Sequence, residues 1–251
     1  MKKIPLFLAL AFLSVALTFC ASTSKQRKLE AESRLRLGIG HLQDGKVAAA
    51  LAELDKADKL DPSNPDIQHG IGLVHFKRGD LELAEKYMLK AVKIKPGYSE
   101  AYNNLGLLYG KMGNSKKAIE YYKKTLDDVL YQTPERAYNN LGAEYEKLNR
   151  SDEAVEMYMR AVSISPTFPP PYFNLGRIYS EKGDFDRAIM HFNKAVKLNP
   201  GYVSAYFQLG SVYLKKKEYD RALDSFKKVL EITESEEIKR MAREYIELIE
   251  R

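Results

Sequence analysis

Residues able to carry chemistry are scarce in this 251-residue chain, which has one cysteine and four histidines. A single cysteine cannot pair within the chain, so no disulfide frames the fold. His69 and His75 stand six apart and would not share a ligand face on a helix. His41 and His75 occupy a position that tyrosine fills elsewhere in the chain, which marks them as packing residues. No phosphate-cradling glycine loop, metalloprotease motif or nucleophile elbow is present. An excess of one charge is lacking too. The 40 Lys and Arg against 34 Asp and Glu leave a formal charge of +6, or +4 without Lys2 and Lys3, interleaved with acids throughout. With no basic stripe and no stacking platform, nucleic acid is excluded as a partner. The chain calls for no catalysis, cofactor, metal or small-molecule substrate, and its function is expected on a surface.

What the chain has in abundance is repetition. Gly38, Gly72, Gly106, Gly142, Gly176 and Gly210 are spaced 34, 34, 36, 34 and 34 residues apart. A fixed period of this length marks a solenoid, in which each unit uses its neighbours as core. Leu37, Ile71, Leu105, Leu141, Leu175 and Leu209 precede the glycines, and His41, His75, Tyr109, Tyr145, Tyr179 and Tyr213 follow three residues later, giving one helical stripe. Ala50, Ala84, Ala118, Ala154, Ala188 and Ala222 are each followed four residues on by Leu54, Met88, Tyr122, Tyr158, Phe192 or Phe226, the face of a second helix. Between the helices Gly45, Gly79, Gly113, Asn149 and Gly183 suit a left-handed helix end, whereas the sixth turn has Lys217. Pro62, Pro96, Pro166 and Pro200 stop the second helices.

This pattern resembles the tetratricopeptide repeat, with its large residue, Leu-Gly, Tyr, Ala, Phe, Ala and Pro at set offsets. Six copies fit, over residues 31–64, 65–98, 99–132, 135–168, 169–202 and 203–236. Repeats 3 to 6 carry the large residue as Tyr102, Tyr138, Tyr172 and Tyr206, while repeats 1 and 2 have Arg34 and Gln68. A polar residue suits the first repeat, which has no preceding neighbour; nothing in the sequence accounts for Gln68. Residues 237–251 leave the repeat but keep helical spacing in Ile238, Met241, Tyr245, Leu248 and Ile249, with Ser235 placed as N-cap. The expected fold is an all-α solenoid of six helix-turn-helix repeats closed by a C-terminal capping helix.

The N-terminus differs in kind. Met1-Lys2-Lys3 leads into an uncharged apolar run over residues 4–19, then Cys20. Sixteen residues fall short of the roughly 20 usual for a membrane span and read, behind a basic start, as a secretory signal. Leu17-Thr18-Phe19-Cys20 resembles a bacterial lipobox, which implies that residues 1–19 are removed, that Cys20 is lipidated, and that residues 20–30 form a lipid-bearing linker. An ordinary signal peptide with an incidental cysteine is the other reading. Ala21 after the cysteine, where inner-membrane retention would have Asp, implies the outer membrane.

Between repeats 3 and 4, residues 126–138 lack the usual proline stop and add two residues, with Thr133 as N-cap and Pro134 opening the next helix. Lipidated cysteine, six repeats and the Thr133-Pro134-Glu135-Arg136-Ala137-Tyr138 stretch together resemble the type IV pilus biogenesis lipoproteins, the pilotins PilF, PilW and Tgl. The resemblance implies an outer-membrane scaffold, facing the periplasm, that helps the pilus secretin reach the membrane and multimerise. A general periplasmic adaptor holding another envelope protein or peptide is the alternative. The stripe beside each glycine is expected to line a concave groove and bind the partner. It comprises Leu35, Ile39 and Leu42 in repeat 1, His69, Leu73 and Phe76 in repeat 2, and Asn103 and Leu107 in repeat 3. Asn139 continues it into repeat 4, where it turns mixed, and Asn103 and Asn139 are placed to hydrogen-bond a peptide backbone. Packing of these residues on neighbouring helices or on the linker is the competing reading.

Overall fold

A computed structural model describes the backbone of residues 6–251 and the side chains from Ser24 onward. Every element among the described residues is an α-helix: α1 (Leu6–Gln43), α2 (Val47–Leu60), α3 (Pro65–Arg78), α4 (Leu81–Ile94), α5 (Ser99–Lys111), α6 (Ser115–Leu126), α7 (Pro134–Lys147), α8 (Ser151–Ile164), α9 (Pro169–Glu181), α10 (Phe185–Leu198), α11 (Val203–Lys215), α12 (Tyr219–Ile232) and α13 (Glu236–Glu250). They form six helix pairs and a closing helix, the expected all-α solenoid. Two compact units divide them, Met1–Asp128 with α1 to α6 and Val129–Arg251 with α7 to α13. The expected linker over residues 20–30 is helical, because α1 runs through it into repeat 1. Residues 1–5 of the expected signal segment and the side chain of Cys20 lie outside the described residues.

The glycine ladder has a geometric cause. A Cβ placed on Gly38, Gly72, Gly106, Gly142, Gly176 or Gly210 would come within 2.6–2.8 Å of Leu54, Met88, Tyr122, Tyr158, Phe192 or Phe226, respectively. Each of these large side chains is essentially fully buried. The two helices of a repeat therefore cross where one has no side chain and the other has its largest, and the missing Cβ lets them close to native packing density. The period-34 glycine and its partner sixteen residues on are two halves of one contact.

Left-handed turns follow the first helices as expected, at Gly45 (φ 77°), Gly79 (φ 90°), Gly113 (φ 77°), Asn149 (φ 57°) and Gly183 (φ 77°). The sixth turn keeps the same geometry in spite of its residue, with Lys217 at φ 61°. The helix register imposes the conformation, and a side chain with a Cβ bears the steric cost. The second helices α2, α4, α8 and α10 end two residues before Pro62, Pro96, Pro166 and Pro200, as expected for residues that precede proline. Thr133 does occupy the N-cap of α7 with Pro134 behind it, yet its side chain makes no capping hydrogen bond.

Gln68 now has an explanation. It is fully buried, and its amide donates to the Pro62 carbonyl at 3.2 Å and to the Asp58 carboxylate. Tyr172 makes the equivalent bond three repeats on, its hydroxyl donating to the Pro166 carbonyl at 3.1 Å. In these two repeats the position tethers the preceding proline turn by different side chains.

Leu37 departs from expectation. Its counterparts Ile71, Leu105, Leu141, Leu175 and Leu209 are at most 2% exposed, whereas Leu37 is 51% exposed. In the first unit α2 packs on α3 and α4 on α5, but no described helix precedes α1. The C-terminal end is closed: Tyr245 of α13 stacks on Phe226 (ring centroids 4.9 Å apart, 11° between planes). Ile238, Tyr245, Ile246 and Ile249 pack on the core there, while Met241 and Leu248, expected on the same face, are exposed. Ser235 caps α13, accepting from the Ile238 N–H.

Candidate partner-binding surface

The first helices of successive repeats lie side by side in the first unit, α1 against α3 and α3 against α5. Gly70 sets the first of these approaches. A Cβ there would meet Ile39 Cδ1 at 3.3 Å and Leu35 Cδ1 at 3.6 Å, so both side chains lie across the α3 backbone. Leu35 and Leu42 also rest on the buried cluster that contains Leu54, Ile67, Ile71 and Val74. All three residues remain half-exposed. Lys77 reaches back from α3 to the Leu42 carbonyl at 2.9 Å.

Further along the stripe Leu73, Phe76 and Leu107 are half-buried. The Lys111 ammonium stands 5.1 Å from the centre of the Phe76 ring, a contact that keeps the aromatic face covered by a mobile cation. The first unit thus presents six half-covered apolar side chains, Leu35, Ile39, Leu42, Leu73, Phe76 and Leu107, on three adjacent helices.

His69 sits differently from its neighbours in the stripe. It is 8% exposed, and both ring nitrogens are engaged: Asn104 Nδ2 donates to Nε2 at 2.8 Å, and Nδ1 lies 3.2 Å from the Tyr98 hydroxyl. The accepting Nε2 leaves the proton on Nδ1, which donates to Tyr98, and the tyrosine hydroxyl faces the Asp66 carboxylate. Burial pushes the imidazole down to about 4 against a small opposing effect of Asp66, and burial together with Asp66 pushes the Tyr98 hydroxyl up. His69 therefore joins α3 to α5 from beneath the apolar stripe. Tyr98 and Asn104 were not visible as parts of this surface in the sequence. One trace was available: Asn174 donates to Asn139 Oδ1 at 3.1 Å with the same 35-residue separation that links Asn104 to His69.

The two asparagines proposed for peptide binding differ. Asn139, in the second unit, has its Oδ1 occupied by Asn174. Asn103 has a solvent-shielded Oδ1 with no hydrogen-bond partner among the described residues. In the second unit the mixed part of the stripe satisfies itself: Arg177 bridges Glu146 at 2.6 Å and Glu181 at 3.2 Å, Tyr158 donates to Glu146, and Ser211 donates to the Phe207 carbonyl at 3.0 Å. Among the described residues no group of three or more His, Cys, Asp or Glu could hold a metal ion, and no helix is long and apolar enough to cross a membrane.

Stacked helix pairs of this kind define a helical-repeat solenoid. The tetratricopeptide repeat family matches residues 65–128, 135–168, 157–190 and 203–235, and its TPR repeat matches 41–79 and 176–217. The chain belongs to the tetratricopeptide repeat family. No curated protein matches it in sequence. Among solved structures it is similar to PilF of Pseudomonas aeruginosa (TM-score 0.77, 18% identity, covering 87% of this chain and 99% of that one). It is also similar to PilW, a type IV pilus biogenesis factor (0.76, 21%, 84% and 97%). A third similar structure is MamA (0.58, 32%, 64% and 93%). At 18% and 21% identity the first two likenesses establish a shared fold.

Proposed function

We propose that this chain is a non-enzymatic pilotin, anchored to the outer membrane through a lipidated Cys20 and facing the periplasm, which binds a type IV pilus secretin and promotes its localisation and multimerisation. The observation that carries the reading is the apolar stripe of the first unit, where six half-buried large side chains lie together with Lys111 beside Phe76 and Lys77 beside Leu42, while the equivalent stripe of the second unit mixes Phe173 and Phe207 with polar groups that pair internally. Support also comes from likeness to PilF and PilW over nearly the whole of each chain. In this reading an apolar segment of the secretin packs on Leu35, Ile39, Leu42, Leu73, Phe76 and Leu107. His69 holds α3 and α5 in register beneath it, and the Asn103 amide contacts the bound backbone.

The test substitutes Leu73→Asp and Leu107→Asp together. Carboxylates at a desolvated contact weaken binding by several kcal/mol, on the order expected for loss of a central anchor. Asn139→Asp with Ser211→Asp serves as the matched change on the polar half. The expected result is an unchanged circular-dichroism melt and loss of heat-stable secretin multimers with the leucine pair alone. Normal multimers with that pair remove this surface as the secretin site. The anchor is tested apart from it: Cys20→Ser releases the protein from the membrane, and an unmodified Cys20 in membrane-extracted protein ends the lipoprotein reading.

A further inference from the structure

The open end of the first unit is shaped for a partner. Ser33, Leu37 and Gly40 of α1 hold the positions that Ile67, Ile71 and Val74 hold in α3 and that Ala101, Leu105 and Leu108 hold in α5. All six of those side chains are at most 1% exposed, covered by the second helix of the repeat before them. On α1 the same face is bare. It lines a depression of about 420 Å³ with Arg36 and Asp44 at its edges. Gly40 is unlike the ladder glycines, because a Cβ added there meets nothing within 4 Å. Packing inside the chain does not require its lack of a side chain.

We propose that this face binds the same face of a second copy of the chain. The spacing of Ser33, Leu37, Gly40 and Asp44, four, three and four residues, is that of a coiled-coil seam. A two-fold contact needs a patch complementary to itself, and this one carries a knob, Leu37, one turn from a hole, Gly40. In an antiparallel pairing Leu37 of each copy enters the space over Gly40 of the other, and the same register sets Ser33 opposite the second copy's Asp44. Arg36 then flanks that carboxylate. Arg36 has no carboxylate partner among the described residues, and Asp44 pairs only with the exposed Lys46. The charges at the two ends of the seam thus favour a second copy over an apolar helix of unrelated origin. About two helical turns per copy are covered, less than the roughly 1,200 Å² of a standard stable interface. The product is a concentration-dependent monomer–dimer equilibrium.

Sedimentation of the full chain in excess detergent, from micromolar to sub-millimolar concentration, tests this directly. The wild type is expected to shift from monomer to dimer across the range. Gly40→Leu fills the hole, and because space is open there it leaves the melt intact while weakening dimerisation at least tenfold. Arg36→Asp weakens it as well, and adding Asp44→Arg to that variant restores it. Leu248→Asp, at the exposed opposite end of the chain, leaves it unchanged. A wild type monomeric at every concentration overturns the proposal. So does a Gly40→Leu variant that dimerises normally, or a Leu248→Asp variant that does not.

Discussion

Gly106→Ala adds one methyl group at the crossing of α5 and α6, where it would stand 2.6 Å from Cε1, 2.7 Å from Cδ1 and 2.9 Å from Cζ of Tyr122. Contacts that short do not persist, so the ring must retreat by most of an ångström. Tyr122 is 1% exposed and rigid, and its displacement passes to its neighbours in a close-packed core. Overpacking of this kind costs about 1–3 kcal/mol, and a planar ring met along one edge belongs near the upper end. Alanine returns about 1 kcal/mol of helix propensity, leaving a net loss of about 1–2 kcal/mol, or about 2–8 °C in the thermal midpoint for a chain of this size. Gly40→Ala supplies the opposite sign in the same kind of helix. Its methyl group meets no atom within 4 Å, so only the propensity gain of up to about 1 kcal/mol remains. Thermal and urea unfolding followed by circular dichroism at low protein concentration would compare the two. A Gly106→Ala variant as stable as wild type would refute the view that the glycine ladder exists to admit the large residue of the second helix.

Three further outcomes follow from the packing. Lys217→Gly relieves a left-handed residue at φ 61° and should stabilise the chain by about 0.5–1 kcal/mol in urea unfolding, since the steric gain exceeds the added freedom of the unfolded glycine. His69 binds a proton at its ordinary 6.5 when unfolded but only at about 4 when folded. The neutral imidazole therefore favours the folded state fully above 6.5, and that contribution, on the order of 3 kcal/mol, is lost as pH falls from 6.5 towards 4. His69→Gln should flatten the stability profile across that window, and a variant whose profile parallels wild type would show that His69 is not held neutral. Deleting residues 237–251 uncovers Phe226 and Phe207, which Tyr245 covers at centroid distances of 4.9 and 5.6 Å, and should lower the thermal midpoint or the solubility; an unchanged midpoint in a soluble truncation would mean that α13 is no cap.

The helix pairs were legible because the contact that builds each of them lies within one repeat. Gly106 and Tyr122 are sixteen residues apart, as are the other five pairs, and a fixed offset in sequence becomes a fixed crossing in space. Contacts between repeats were legible only where every repeat has a neighbour. Leu37 reads like Leu105 in the sequence, yet one is half-exposed and the other fully buried, because burial at that position is supplied by the helix before it. Lys217 reads as an exception and is none, since the turn's conformation is fixed by the two helices it joins and not by the residue that occupies it.

The stripe was harder to read for a related reason. Periodicity places Leu35, His69 and Asn103 at one helical position, but the exposure of that position depends on what the next repeat lays over it. Leu35 meets Gly70 and stays half-open. His69 meets Tyr98, which enters from the residue just before α5, and is closed over. A position-based stripe therefore locates the face of the helix that looks toward the next repeat, and the small or large residue on that next repeat decides whether the face is seam or surface. By that rule Leu73 and Phe76, half-buried and with the Lys111 ammonium 5.1 Å from the Phe76 ring, are the parts of repeat 2 that the proposed partner would touch. Substitutions there, unlike those at His69, should separate binding from folding.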